Sequence, residues 1–289
     1  MTAMFALATS LLWGLADFGG GLLTRRFPAL TVVVVSQSIA VVVLGTLVLA
    51  TGALGEAGPR LWYAVAAGAV GPAAMLAFYR ALALGPMGVV SPLGSLGVVV
   101  PVGVGLLLGD RPGLLQFAGI AVAVIGVVLA GGPELRGAPV QRQAVLLTLV
   151  AAFGFGAVMA LISEASTSLT GLVLALFVQR VTNVAVGGGA LWLSVRRGGR
   201  VLPEDGGGVR AVVAALPALA FVGLADVAAN GTYALAAQRG PVTVAAVLAS
   251  LYPVVTALAA RGVLKERLRA VQAAGAGLAL VGTVLLATG

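Results

Sequence analysis

Ten runs of apolar residues, each about twenty long, follow one another along the chain at 3–24, 29–51, 61–84, 87–109, 114–130, 143–163, 171–194, 211–237, 241–262 and 270–287. Roughly 20 apolar residues wound as a helix cover the ~30 Å hydrocarbon core of a bilayer. Backbone in lipid must satisfy its own N–H and C=O groups, so such runs fold as helices. Only 9% of the residues are charged, against about 25% in a soluble domain, so water cannot be the main solvent. The expected fold is an all-α membrane protein of ten transmembrane helices.

What interrupts the runs is short. The longest polar stretches are GGPELRGAPVQRQ at 131–143 and RRGGRVLPEDGGGVR at 196–210, neither able to fold as an aqueous domain. Their glycines are linker residues, since none follows a strand or carries the Gly-Lys-Ser/Thr ending of a phosphate-binding loop. The first run begins MTAMFALATSLLW and meets its first charge at Asp17. With no basic segment ahead of it, residues 1–24 read as a retained helix and not a cleaved signal.

The chain has neither Cys nor His. That excludes disulfides, thiol nucleophiles, imidazole metal sites and the usual general base. We therefore expect no metal, no cofactor and no catalysis. The net charge of +8 is no nucleic-acid signature, because the basic residues sit in short loops between apolar runs.

The chain also repeats itself. DRPGLLQFAGIAVAVIGVVL (110–129) lies on ERLRAVQAAGAGLALVGTVL (266–285) without a gap. Arg111 then matches Arg267, Gln116 matches Gln272, Gly119 matches Gly275 and Gly126 matches Gly282, with Asp110 opposite Glu266. One residue out of that register, Gly85-Pro86 falls on Gly240-Pro241, Phe78 on Tyr233 and Ser95 on Ser250. Trp13-Gly14 can be laid on Phe153-Gly154, and Gln37 on Gln179, more weakly. Apolar helices resemble one another by chance, but here polar and glycine positions agree. The expected organisation is a first five-helix repeat over 1–133, a linker over 134–142 and a second five-helix repeat over 143–289. An odd number of spans brings the second half into the membrane from the opposite side, so the halves form an inverted pair suited to alternating access.

Loops after spans 1, 3, 5, 7 and 9 hold most of the 17 basic residues, among them Arg25, Arg26, Arg136, Arg196, Arg197, Arg200 and Lys265. Loops after spans 2, 4, 6 and 8 hold only Arg60, Arg111 and Arg239. The positive-inside rule puts the first set in the cytoplasm and both termini outside.

The duplicated five-helix half, the Gly-Pro turns before spans 4 and 9, and LKERL at 264–268 resemble the drug/metabolite transporter superfamily in its ten-helix EamA-type branch. LKERL is similar to a Gly-Glu-Arg-Leu signature, with Lys265 replacing Gly, and GDRPG (109–113) is a looser match in the first half. ADFGGGLLTR (16–25) resembles the first helix of the small multidrug resistance relatives, with Asp17 on their acidic position. The resemblance implies a ten-helix basket, a cavity lined by helices 1, 3, 4, 6, 8 and 9, and small metabolites, often exported amino acids, as substrates. It also implies cytoplasmic termini, against the charge count; the orientation expected here is the charge-based one.

Charge in lipid is costly, so each ionisable residue inside a span is a candidate. Three lie deep: Asp17, Arg180 and Asp226. Asp17 shares a helix face with Trp13 one turn earlier; it reads either as a coupling or cation-binding carboxylate, or as a structural partner for Arg180. Asp226, Asn230 and Tyr233 form a stripe at i, i+4 and i+7 that cannot face lipid, so it lines a cavity or ties helices together. Phe78, opposite Tyr233 in the repeat, offers an apolar wall; Tyr79 and Tyr252 are weaker candidates. Arg180, with Gln179 and Asn183 beside it, lies about 13 Å into its span at 1.5 Å per residue, too deep to snorkel; it reads as a structural ion pair or a substrate anion site. Ser91, Ser95 and Ser250 are polar candidates that could equally bond back to their own helices. Pro72, Pro92, Pro101, Pro217 and Pro253 fall only on spans 3, 4, 8 and 9 and suggest kinked gating helices. Gly119/Ala123 and Gly275/Ala279 suit close scaffold packing of spans 5 and 10.

The expectation is a secondary transporter in the inner (plasma) membrane, monomeric, exporting small metabolites such as amino acids by alternating access, with protons as a candidate partner and the coupling ion left open by the sequence. The alternative within transport is proton-coupled efflux of multiple drugs or cationic compounds. A membrane-embedded enzyme lacks a nucleophile–base pair or metal cluster to work with. The substrate is expected between the Trp13/Asp17 face of the first helix and the Asp226 stripe of the eighth.

Overall fold

The computed structural model describes residues 2–98, 100, 113–131, 142–165, 168–202, 208–239, 248–249, 251–265 and 270–288. A helix lies in each of the ten segments that the sequence sets off. They are α1 (Thr2–Thr24), α2 (Ala29–Thr51), α3 (Leu61–Leu84), α4 (Met87–Gly94), α5 (Leu114–Gly131), α6 (Arg142–Ala165), α7 (Leu169–Arg196), α8 (Gly208–Gln238), α9 (Tyr252–Ala259) and α10 (Ala270–Thr288). Among the described residues, α1, α2, α3, α6, α7 and α8 are long and apolar enough to cross a membrane. Outward-facing Val42, Leu49 and Trp62 are more than two thirds exposed, which suits a lipid-facing wall.

Local chemistry sets the ends. α2 follows Pro28, which has no N–H to waste at a helix start, and stops at Gly52, whose left-handed φ of 66° lets its N–H reach the Val48 carbonyl. A β-carbon would be strained there. α3 ends at Gly85, extended at φ −124°, because the residue before a proline is driven out of the helical region. Ser168 caps α7, its Oγ accepting from the Gly171 N–H at 3.0 Å.

Two expected spans differ from unbroken helices. The 87–109 segment is α-helical only to Gly94 and tightens into a 3-10 turn over Ser95–Val98. Pro92 supplies no N–H to that helix, and the turn recovers its carbonyl by taking the Ser95 hydroxyl at 2.7 Å. The 241–262 segment is α-helical over Tyr252–Ala259, then widens into a π turn over Ala260–Leu264 that ends at Lys265, φ 56°. Pro101, Gly240-Pro241, the 101–112 stretch and Glu266 to Arg269 lie outside the described residues.

The packing pattern is that of two related halves. α1 lies on α8 as α3 lies on α6; α2 lies on α8 as α7 lies on α3; α1 meets α9 as α6 meets α4; α2 meets α7, α4 meets α9 and α5 meets α10 as self-matching pairs. Glycines make the closest approaches. A β-carbon on Gly14 would stand 2.7 Å from the Tyr252 carbonyl and 2.5 Å from Val255 Cβ. One on Gly156 would run into the Gly97 carbonyl and stand 2.7 Å from Val100 Cβ. These two contacts are the same contact made twice between the halves, once by the first helix of each. The pairing corrects one detail of the sequence register: Trp13-Gly14 corresponds to Phe155-Gly156, two residues beyond Phe153-Gly154. Phe153 is instead 58% exposed. With that change α1 and α6 share the register that lays Gln37 on Gln179.

Candidate functional site

Where the halves meet, a cavity of about 260 Å³ opens between α1, α3, α4, α6, α7, α8, α9 and α10. Trp13, Asp17, Phe78, Ser95, Asp226, Asn230 and Tyr233 all line it, as do Arg180, Tyr79 and Tyr252. Ser250 lies outside the described residues. Ser91 is buried on α4 and its Oγ has no partner among the described residues.

The charged groups are arranged around Arg180. Its Nη2 lies 2.8 Å from Asp226 Oδ2, and its Nη1 donates to Gln37 Oε1 at 2.5 Å. Asn230 Nδ2 donates to the Asp226 carbonyl at 2.7 Å and reaches Asp226 Oδ1 at 3.3 Å. The helical spacing i, i+4 produces that contact, since such residues stand one above the other. Asp226 is thus compensated on two sides. Asp17 lines the same cavity as Asp226, yet among the described residues no hydrogen bond or ion pair reaches it. Arg180 pairs with Asp226, and among the described residues no ion pair joins it to Asp17. The pair is also no dry contact remote from a cavity, because both partners face the same open space.

Aromatic rings frame the carboxylates. Trp13 sits 6.0 Å from Tyr233, tilted by 34°, and 6.1 Å from Tyr252, edge-on at 73°. Across the cavity Phe78 meets Phe155 edge-on at 5.6 Å and Tyr79 at 6.4 Å. Ser95 Oγ lies 3.1 Å from Thr283 Oγ1, so its hydroxyl ties α4 to α10 as well as facing the cavity.

The cavity thus lies between the two halves, with charged groups held within helices. Residues 1–132 and 142–288 each match the model of the EamA-like transporter family. The chain belongs to that family. It is accordingly a multi-pass membrane transporter of small compounds. A solved structure described only as "Crystal structure of protein" is similar over 98% of this chain and 95% of its own, with a TM-score of 0.59 and 19% identity; that likeness shows the fold alone. No curated protein matches the chain.

Several lining residues of this EamA-like transporter were not singled out from the sequence: Gly71, Met75, Gly94, Gly97, Phe155, Val158, Met159 and Thr283. Most are apolar or glycine, and no polarity marks them within an apolar run. The repeat could have found them. In the corrected register Trp13 corresponds to Phe155, Ala16 to Val158 and Asp17 to Met159; Tyr233 corresponds to Phe78, Asn230 to Met75 and Asp226 to Gly71. Every member of these pairs lines the cavity. Gln179 and Asn183 line it too, both buried, with Gln179 Oε1, Asn183 Oδ1 and Arg180 Nε lacking partners among the described residues. Gly71 leaves them room, since a β-carbon there would stand 2.6 Å from Asn183 Nδ2.

Proposed function

We propose that this transporter exports small metabolites carrying an amino group, amino acids foremost, by alternating access of the cavity with protons as coupling ion. The observation that carries the reading is Asp17, a carboxylate without a described hydrogen-bond or ion-pair partner beside Trp13 on the cavity wall. An uncompensated carboxylate at helix depth is costly unless something binds it, and an ammonium group or a proton can do so. Gln179, Arg180 and Asn183 also line the cavity and bring polar side chains suited to the remainder of a polar head.

A second reading, efflux of cationic compounds, is favoured by the trio Trp13, Tyr233 and Tyr252 around Asp17, since aromatic faces attract cations. In this account the protein works as a monomer in the inner (plasma) membrane with both termini outside. Counterflow into liposomes holding the purified protein, run with a panel of amino acids and of organic cations, tests it. Exchange of amino acids is the expected result. Exchange of organic cations alone would put the second reading in its place, and exchange of neither would end both.

A further inference from the structure

The two halves of the cavity wall are related in position but opposite in chemistry. On the α1/α8 side stand Asp17, Asp226 and Asn230. Their counterparts on the α6/α3 side are Met159, Gly71 and Met75, and the aromatic residues Trp13 and Tyr233, with their polar tips, give way to Phe155 and Phe78. A duplicated scaffold would by default present the same surface twice. Here one copy keeps carboxylates and the other presents thioethers and plain rings, at the same depth.

We propose that this polarity fixes how the substrate lies: its amino group at Asp17, and an apolar, extended part against Met75, Phe78, Phe155 and Met159. The inference rests on the amine-binding reading of Asp17. It adds that the substrate class is amphipathic, and that the α6/α3 wall selects by apolar length. The chemistry of that wall fits the role. Methionine is unbranched and polarizable and adapts to varied apolar shapes. Phe78 and Phe155, locked edge-on at 5.6 Å, form a fixed floor. Phe78, Phe155 and Met159 offer no hydrogen-bond donor, while Met75 marks the edge of the wall, where Asn183 Nδ2 approaches its Sδ at 3.9 Å. A compound with a small head and no tail would leave this wall against water or empty space, losing the contact energy.

The test is equilibrium binding to the purified full chain of two homologous series, linear α-amino acids from alanine to 2-aminohexanoic acid and the matching n-alkylamines. For whichever series binds, affinity should rise by about fourfold per added methylene, the fold-change that corresponds to burying one CH₂. Met159→Gln and Met75→Gln conserve size but make the wall polar, so the rise per methylene should fall to about half or less. Asp17→Asn should weaken every member by a similar factor and leave the rise unchanged. A flat series in the unaltered protein, or an undiminished rise in both Gln variants, would overturn the proposal while leaving amine binding intact. Absence of binding by both series would instead remove the amine-binding reading beneath it.

Discussion

Arg180 is the residue on which the charge balance of the interior turns. It faces Asp226 at 2.8 Å and Gln37 across to α2, and it is only 8% exposed at the side chain. Removing one partner of a buried pair leaves the other uncompensated, which costs about 3–5 kcal/mol. Arg180→Met should therefore lower the thermal unfolding temperature of the detergent-purified protein markedly, and the double variant Arg180→Met/Asp226→Asn should recover part of the loss. A single variant as stable as the parent would show that the pair contributes nothing. Asn230 is a different case. Its amide bonds within its own helix, to the Asp226 carbonyl and carboxylate, so among the described residues truncation breaks no hydrogen bond between helices. Asn230→Ala should weaken substrate binding by about fivefold, the worth of one hydrogen bond of ~1 kcal/mol, with folded yield unchanged. Lower yield with normal affinity would make Asn230 a packing residue.

At the scale of elements, glycine contacts decide how α1 and α6 seat. Gly14 meets the Tyr252 carbonyl and Gly156 meets the Gly97 carbonyl, so each helix approaches the turn region of α9 or α4 without an intervening side chain. Gly14→Val would force those backbones apart, and overpacking of this kind costs about 1–3 kcal/mol. The expected outcome is reduced folded yield on size-exclusion chromatography, with Gly156→Val behaving likewise; tolerance of both would contradict the shared contact. These glycines also explain what could be read from sequence. The helices of α1 to α3 and α6 to α8 were legible because lipid allows little other than a helix for an apolar run. Asp17, Asp226 and Asn230 were legible because polarity in such a run stands out. The breaks after Gly94 and Ala259 were less so: a proline marks a site of weakened hydrogen bonding but does not say whether the turn tightens, as at Ser95–Val98, or widens, as at Ala260–Leu264. The α1/α6 register slipped by two residues because Phe153-Gly154 and Phe155-Gly156 are the same dipeptide twice, and only a tertiary contact tells them apart. The apolar half of the cavity was invisible for a simpler reason: Met75 and Met159 look like every other lipid-compatible residue.

At the scale of the whole molecule, the matched contacts between halves give the cavity its place, and the basic residues give the chain its expected orientation. Arg196, Arg197 and Arg200 follow α7, and Arg196 stacks over Trp192 at 3.8 Å, an aromatic–basic pairing suited to a membrane interface. In the proposed orientation this end is cytoplasmic. Arg197→Cys avoids the neighbouring Gly198, whose φ of 76° would strain a side chain. That cysteine should resist an impermeant thiol reagent in intact cells and react after permeabilisation; ready labelling in intact cells would reverse the orientation. The account as a whole rests on Asp17 as the group at which substrate and proton meet. Transport driven by an imposed pH gradient, compared between the parent protein and Asp17→Asn in liposomes, tests this most directly. The account predicts accumulation by the parent and none by the variant, with both folded to the same extent. Full pH-driven accumulation by Asp17→Asn would contradict it.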